Sequence, residues 1–128
     1  MEEKLKQKPA DCIKVVIFGP ESTGKTTLSR HLARYYNSVW VPEYAREYLQ
    51  DKWNNERKTC EPSDLLPIAL GQMHLENELS QKTNTVLICD TNLLETKVYS
   101  EAYYSGSCDP LLEKFAVKNE YDLYLLTY

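Results

Sequence analysis

One eight-residue run constrains this chain more than any other. Gly19-Pro20-Glu21-Ser22-Thr23-Gly24-Lys25-Thr26 fits the pattern G-x-x-x-x-G-K-[ST] without a gap. Such a loop makes demands on its surroundings. Its two glycines let the backbone turn sharply and come close to an anion. The amides between them point inward, and the helix behind them adds its partial positive charge. A strand must therefore enter the loop and a helix must leave it. Ile13 to Phe18 is a short, β-branched apolar run suited to a strand buried on both faces. From Gly24 to Tyr36, Leu28, Leu32 and Tyr35 keep helical spacing. In that setting Lys25 reaches the β/γ oxygens of a nucleoside triphosphate as a point charge, and the Thr26 hydroxyl is placed to ligate Mg²⁺.

The rest of the chain repeats the alternation. Val39-Trp40-Val41 reads as a second strand ending at Pro42, and Glu43 to Lys52 as a helix. Residues 51–63 are polar and aperiodic and read as a loop. Ser63-Asp64 is placed to cap a helix running to about Lys82, with Leu65, Leu66, Ala69, Met73 and Leu75 on its apolar side. Thr85 to Cys89 is a third buried strand ending in Asp90. Helices follow over Leu93–Tyr104 and Pro110–Val117, then a fourth strand over Tyr121–Leu126. Strand–helix alternation of this kind implies right-handed crossovers. The expected fold is a three-layer α/β/α domain with a parallel sheet, the kinase-like fold of P-loop nucleoside triphosphate hydrolases. Residues 1–11 read as a flexible polar lead and 12–128 as the P-loop domain.

Composition removes several classes. The chain has 128 residues, room for one domain. With 15 basic and 19 acidic side chains its net charge is -4, against broad binding to nucleic acid or anionic membrane. Cys12, Cys60, Cys89 and Cys108 form no C-x-x-C pair and no zinc-finger spacing, which suits reduced thiols. The charged start lacks an apolar core for a signal peptide, and no apolar run is long enough to span a bilayer. The expected location is the cytoplasm. A switch GTPase would need an Asn-Lys-x-Asp segment, and the fourth strand ends in Leu125-Leu126-Thr127 instead. A kinase for a small acceptor is the class that fits.

Two further places offer chemistry. Asp90, at the carboxyl end of a buried strand beside the loop strand, suits a second magnesium group; it also suits an N-cap for the next helix. The segment Val41-Pro42-Glu43-Tyr44-Ala45-Arg46-Glu47-Tyr48 leaves strand two where α/β folds place their crevice. A carboxylate there accepts a hydroxyl proton during phosphoryl transfer, and an arginine holds phosphate in two places. The same spacing suits a surface helix with its charges in water.

GPESTGKTTLS, VPEYAREYL, Leu70-Gly71-Gln72 and ICDTNLLETKVYSEAYY together resemble the ribosylnicotinamide kinase domain of NadR-type proteins, over about residues 13–126. The Pro-Glu-Ser loop interior and the Glu-Tyr-Ala-Arg-Glu run are the most specific marks, since a generic phosphate loop requires neither. The resemblance implies ATP-dependent phosphorylation of nicotinamide riboside to its mononucleotide in NAD salvage. It places ATP and Mg²⁺ on Gly19, Glu21, Ser22, Thr23, Gly24, Lys25, Thr26 and Thr27. It puts Asp90 and Thr91 near the metal and the acceptor hydroxyl, and Glu43, Tyr44 and Arg46 in the acceptor site. Gln72 matches a family glutamine that faces the acceptor, although its position also suits a helix-surface amide. Lys25, Glu43, Arg46 and Asp90 are the expected catalytic set. Family members continue past the fourth strand into an arginine-bearing lid, a fifth strand and a last helix, so the chain is expected to be the N-terminal and central part of the domain. A kinase for another small acceptor, and a non-catalytic ATP-binding regulator, are the alternatives on the loop alone.

Overall fold

The computed structural model describes residues 2–19, 24–104, 106 and 108–127. Four strands make one parallel sheet: β1 (Ile13–Phe18), β2 (Trp40–Val41), β3 (Val86–Asp90) and β4 (Leu123–Leu126), in the order β2-β3-β1-β4. β1 is central, and its register sets Ile17 opposite Asp90 on one side and Leu125 on the other. The α/β fold with a parallel sheet is as the sequence implied.

The two-residue period of the strands explains the layers. Val16, Val41, Leu87 and Cys89 point to one face and pack with Leu75, Leu79 and Tyr121. Val15, Ile17 and Ile88 point to the other and meet Ala33 and Leu32 of α2 (Lys25–Tyr35). Both faces are covered, which is why these strands read as unbroken apolar runs. β4 is an edge strand and leaves Leu123, Tyr124 and Leu126 exposed. A third cluster lies among helices, where α4 (Leu65–Ser80) contributes Leu65, Ala69 and Met73. α5 (Leu93–Tyr103) adds Leu93, and α6 (Pro110–Lys118) adds Leu112, Phe115 and Ala116.

Three sequence expectations are corrected. The start of the chain is not a frayed lead. Glu2–Leu5 forms a short helix, α1, and Leu5 is fully buried in the interhelical cluster. Side-chain amides hold the stretch that follows: Asn77 donates to the Lys6 carbonyl at 2.9 Å and accepts from Lys8 N at 2.9 Å. Gln7 donates to the Glu120 carbonyl and accepts from Glu120 N, both at 2.8 Å. A single buried leucine among polar residues has no period to read, so composition alone suggested disorder.

The second correction concerns 51–63. Helix α3 runs over Tyr44–Glu56 and ends at Arg57 in a left-handed conformation, φ 55°. α3 buries none of its residues, so it carries no apolar stripe to mark its length. The third concerns Asp64, which does not cap α4 through its side chain. It ends a 3₁₀ turn over Pro62–Asp64 and reaches back to Glu61 N at 2.8 Å.

Candidate functional site

Helix α2 begins directly behind Gly24, whose backbone is left-handed at φ 82°. That conformation favours glycine and explains the second loop glycine. The first is held by space: a Cβ on Gly19 would stand 1.8 Å from Thr127 Oγ1. Lys25, Thr26 and Thr27 form the first turn of α2. Glu21, Ser22 and Thr23 of the expected phosphate contacts lie outside the described residues.

The Lys25 side chain turns inward and is buried. Its ammonium stands 3.1 Å from Asp90 Oδ1, 3.4 Å from Glu43 Oε2 and 3.5 Å from Glu95 Oε2. Burial works against its charge, but Glu95, Glu43 and Asp90 together overcome it and hold its pKa above that of an ordinary lysine. Burial raises the pKa of Glu95; Lys25 opposes this, and Glu43 adds to it.

Asp90 is brought here by the β1–β3 pairing. It is 1% exposed, and its Oδ2 accepts from the Thr26 hydroxyl at 2.8 Å. Its Oδ1 is buried and accepts no hydrogen bond among the described residues; the Lys25 ammonium pairs with it by charge. The helix-cap role falls to Asn92, whose Oδ1 accepts from Leu94 N at 3.0 Å. Thr91, between them, has φ 81°. A β-branched residue there is strained by about 1–3 kcal/mol. Its amide donates to the Ile17 carbonyl at 3.2 Å, and its hydroxyl donates to Glu95 Oε2.

The residues present fit a hard divalent cation. A hydroxyl and a carboxylate lie side by side, and one buried carboxylate oxygen has lone pairs to give. Magnesium is commonly held by one or two such oxygens plus substrate phosphates. Among the described residues no group of three or more His, Cys, Asp or Glu side chains has the geometry of an all-protein cage.

A cavity of about 600 Å³ opens beside Lys25. Gly19, Lys25, Glu43, Gln72, Thr91 and Glu95 are among the residues that line it. Leu49, Cys60, Leu65, Ile68, Tyr99 and Tyr103 add more apolar surface to the lining. Glu43 reaches it because it stands at the N-cap of α3, in extended backbone at φ -73°, ψ 105°.

Not every expected acceptor residue is here. Arg46 is exposed and lines a shallow depression with Glu43, Ala45, Leu49 and Gln50. Tyr44 turns its ring onto Gly71, where a Cβ would come within 2.2 Å of Tyr44 Cε2. Gln72 is a buried brace, not a surface amide. Its Oε1 accepts from Tyr44 N at 2.8 Å, and its Nε2 donates to the Pro42 carbonyl at 3.1 Å. The segment carrying Glu43 is thereby fixed to α4.

Sequence reasoning missed Glu95, Thr96 and Tyr99. The available signal was position: Glu95 follows Asp90 by one helical turn and a corner, on the first turn of a helix entering the same crevice.

Comparison with known proteins gives this geometry a family. The model of an AAA domain family matches residues 14–128. The trifunctional NAD biosynthesis/regulator protein NadR of Salmonella typhimurium is 30% identical over 112 residues, and that of Escherichia coli 29%. The match takes in 88% of this chain, which spans 27% of the length of these relatives. A crystal structure of NadR protein in complex with NR superposes with a TM-score of 0.76 at 29% identity, covering 90% of this chain and 33% of the other. One in complex with NAD and AMP-PNP gives 0.71 at 28%, covering 90% and 34%. A thymidylate kinase from Ehrlichia chaffeensis, 20% identical with a TM-score of 0.65 over 94% of this chain and 72% of its own, shares the fold. With the family model matching all but the first residues, the chain belongs to the AAA domain family of P-loop proteins and is similar to NadR along most of its length.

Proposed function

We propose that the chain is the nucleotide- and acceptor-binding part of a P-loop nucleoside kinase, acting on nicotinamide riboside with ATP and Mg²⁺ to give the mononucleotide and ADP. The observation that carries this reading is the convergence of Glu43 and Asp90 on the P-loop lysine, with Lys25 and Glu43 lining one cavity of about 600 Å³. A loop that only holds phosphate needs no carboxylate from a separate helix aimed at the same ammonium. The likeness to NadR, crystallised with NR and with AMP-PNP, supports the choice of acceptor and nucleotide.

In this reading Lys25 leaves its carboxylates for the β/γ phosphate oxygens and neutralises them as charge moves. Thr26 and Asp90 would hold Mg²⁺, which when bound draws charge off the same oxygens. The acceptor hydroxyl lies against Glu43. Its oxygen forms a bond to the γ-phosphorus, the bond from that phosphorus to the β–γ bridging oxygen breaks, and ADP leaves. The hydroxyl proton passes to the Glu43 carboxylate. Gln72 holds Glu43 in place through Pro42 and Tyr44. Arg46, exposed at the rim, meets transferring phosphate only by swinging inward.

No helix among the described residues is long and apolar enough to cross a membrane.

An ADP-release assay across a panel of nucleosides tests the reading, with nicotinamide riboside expected to be the best acceptor. Glu43→Gln is expected to lower turnover by roughly 10²-fold or more with ATP affinity nearly kept. Nucleotide binding with no turnover, and indifference to that substitution, would show a nucleotide sensor instead.

A further inference from the structure

The Lys25 ammonium has three N–H bonds and three carboxylate neighbours. They are not equivalent. Asp90 is sealed beneath the loop helix against Thr26, with 1% of its side chain exposed. Glu43 and Glu95 remain 24% and 32% exposed and line the cavity from two different elements, the start of α3 and the first turn of α5. Glu95 is also held from behind, since the Thr91 hydroxyl donates to its Oε2. Thr91 is kept in its strained left-handed conformation with its amide on Ile17. In that conformation its hydroxyl reaches this carboxylate.

One ammonium cannot serve both partners. Phosphate oxygens that draw Lys25 toward the loop leave Glu43 and Glu95 without their cation, near a polyanion, in a partly enclosed cavity. Carboxylates so placed are costly unless a donor reaches them. Among the described residues the cavity walls offer the Thr91, Thr96, Tyr99 and Tyr103 hydroxyls and the Gln72 amide, of which the Thr91 hydroxyl already donates to Glu95 and the Gln72 amide to the Pro42 carbonyl. A polyhydroxylated acceptor brings the donors that are wanted. The acceptor in turn has little to bind while Lys25 still occupies both carboxylates.

We propose that Glu95 is an acceptor-positioning residue: it shares Lys25 with Glu43 until nucleotide phosphates draw the ammonium away, and then accepts a hydrogen bond from an acceptor hydroxyl. This rests on the kinase reading above. It adds a residue which that reading does not use, and it couples the two substrates. Nucleotide exposes the acceptor-binding carboxylates, so each substrate tightens the other by the same factor.

Calorimetry on the full chain tests it, with nicotinamide riboside as titrant, with and without Mg²⁺ and AMP-PNP. The expected result is nucleoside binding at least about fivefold tighter in the presence of the analogue. Glu95→Ala is expected to weaken nucleoside binding to the analogue-loaded protein about tenfold or more, as for a lost hydrogen bond to a charged group. It should leave the affinity for the analogue unchanged or raised, because Lys25 loses a competitor. Glu95→Gln, which keeps the shape and one acceptor oxygen, should recover part of the loss. Equal nucleoside affinity with and without analogue, or full nucleoside affinity in Glu95→Ala, overturns the proposal. So does a parallel loss of both ligands in Glu95→Ala and Glu95→Gln, which would make Glu95 a structural residue only. If the unaltered chain binds AMP-PNP but no nucleoside, the kinase reading falls and this inference with it; nucleoside binding that ignores the analogue overturns this inference alone.

Discussion

Thr26 and Asp90 lie 64 residues apart in the chain, yet the Thr26 hydroxyl donates to Asp90 Oδ2 at 2.8 Å. The parallel pairing that sets Ile17 opposite Asp90 makes this contact, because it brings the end of β3 level with the end of β1. The contact joins a loop helix to a strand-end acid before any ligand arrives, so a divalent cation would meet both oxygens in place. Asp90→Asn keeps the size of the side chain and removes its charge. Turnover should fall on the order of 10²-fold or more. Nucleotide binding without Mg²⁺ should persist or tighten, since Lys25 then has one carboxylate fewer. ADP release, together with calorimetry in the presence and absence of Mg²⁺, checks both halves. Full turnover would remove Asp90 from the site.

What could be read from the sequence follows from how each residue is specified. β1, β3 and the start of α2 behind Gly24 carry local signals, namely β-branched runs and a glycine at a fixed offset, and they fold as the signals say. Lys25, Thr26 and Asp90 stand out from the loop pattern and the strand end, and Glu43 only from the resemblance; their side chains do meet around Lys25 and Asp90. Gln72 was legible as a residue but not as a role. Whether an amide faces a ligand or its own backbone depends on a contact between α4 and the segment before α3, and no period in either encodes it. Glu95 was illegible for the opposite reason: an acid in the first turn of a helix is already accounted for by the helix dipole, with no ligand needed. The docked N-terminal segment and the full length of α3 failed the same test, one with a single buried side chain and the other with none.

The Gln72 brace carries its own expectation. Gln72→Ala leaves Tyr44 N–H and the Pro42 carbonyl without partners, at a cost of about 1–3 kcal/mol. The same change loosens the segment that carries Glu43, so the acceptor KM should rise more than the ATP KM. Gly71→Ala reaches a similar end by crowding, because its Cβ would press into the Tyr44 ring and overpacking costs about 1–3 kcal/mol. Urea unfolding and steady-state kinetics on the two variants separate the effects. A stability loss with both KM values unchanged would show that the brace does not act on the site.

Leu5 decides whether the first residues belong to the domain. It is fully buried against α4 and α6, and truncating such a leucine costs about 2–5 kcal/mol. Leu5→Ala should therefore lower the urea midpoint strongly. Leu123→Ala, on the exposed edge strand, should stay within about 0.5 kcal/mol. A Leu5→Ala midpoint equal to that of the unaltered protein would return the segment to the frayed lead that its composition suggests.

Asp64 sets the acid limit of the α3–α4 corner. It is buried. Its Oδ1 accepts from the Tyr48 hydroxyl at 2.9 Å, and its Oδ2 accepts from Lys52 Nζ at 2.5 Å and Glu61 N at 2.8 Å. Burial alone would raise its pKa, but Lys52, the Glu61 amide and Tyr48 outweigh burial and hold it below the ordinary aspartate value. A carboxyl depressed in the folded state binds protons more readily when unfolded. Its stabilisation is therefore complete above the unfolded pKa, about 4, and is lost as pH falls through the lower folded value. In Asp64→Asn that part of the acid limb should flatten, with stability lower at pH 7 and closer to that of the unaltered chain at pH 3. Tyr48→Phe should remove about 1.5–3 kcal/mol at neutral pH, as for a hydrogen bond to a charged group, and leave most of the acid limb in place because Lys52 and Glu61 still hold the carboxylate. Urea midpoints from pH 3 to pH 7 read both effects. If the gap between Asp64→Asn and the unaltered chain did not narrow toward pH 3, the carboxylate would not be the group that ties α3 to the start of α4.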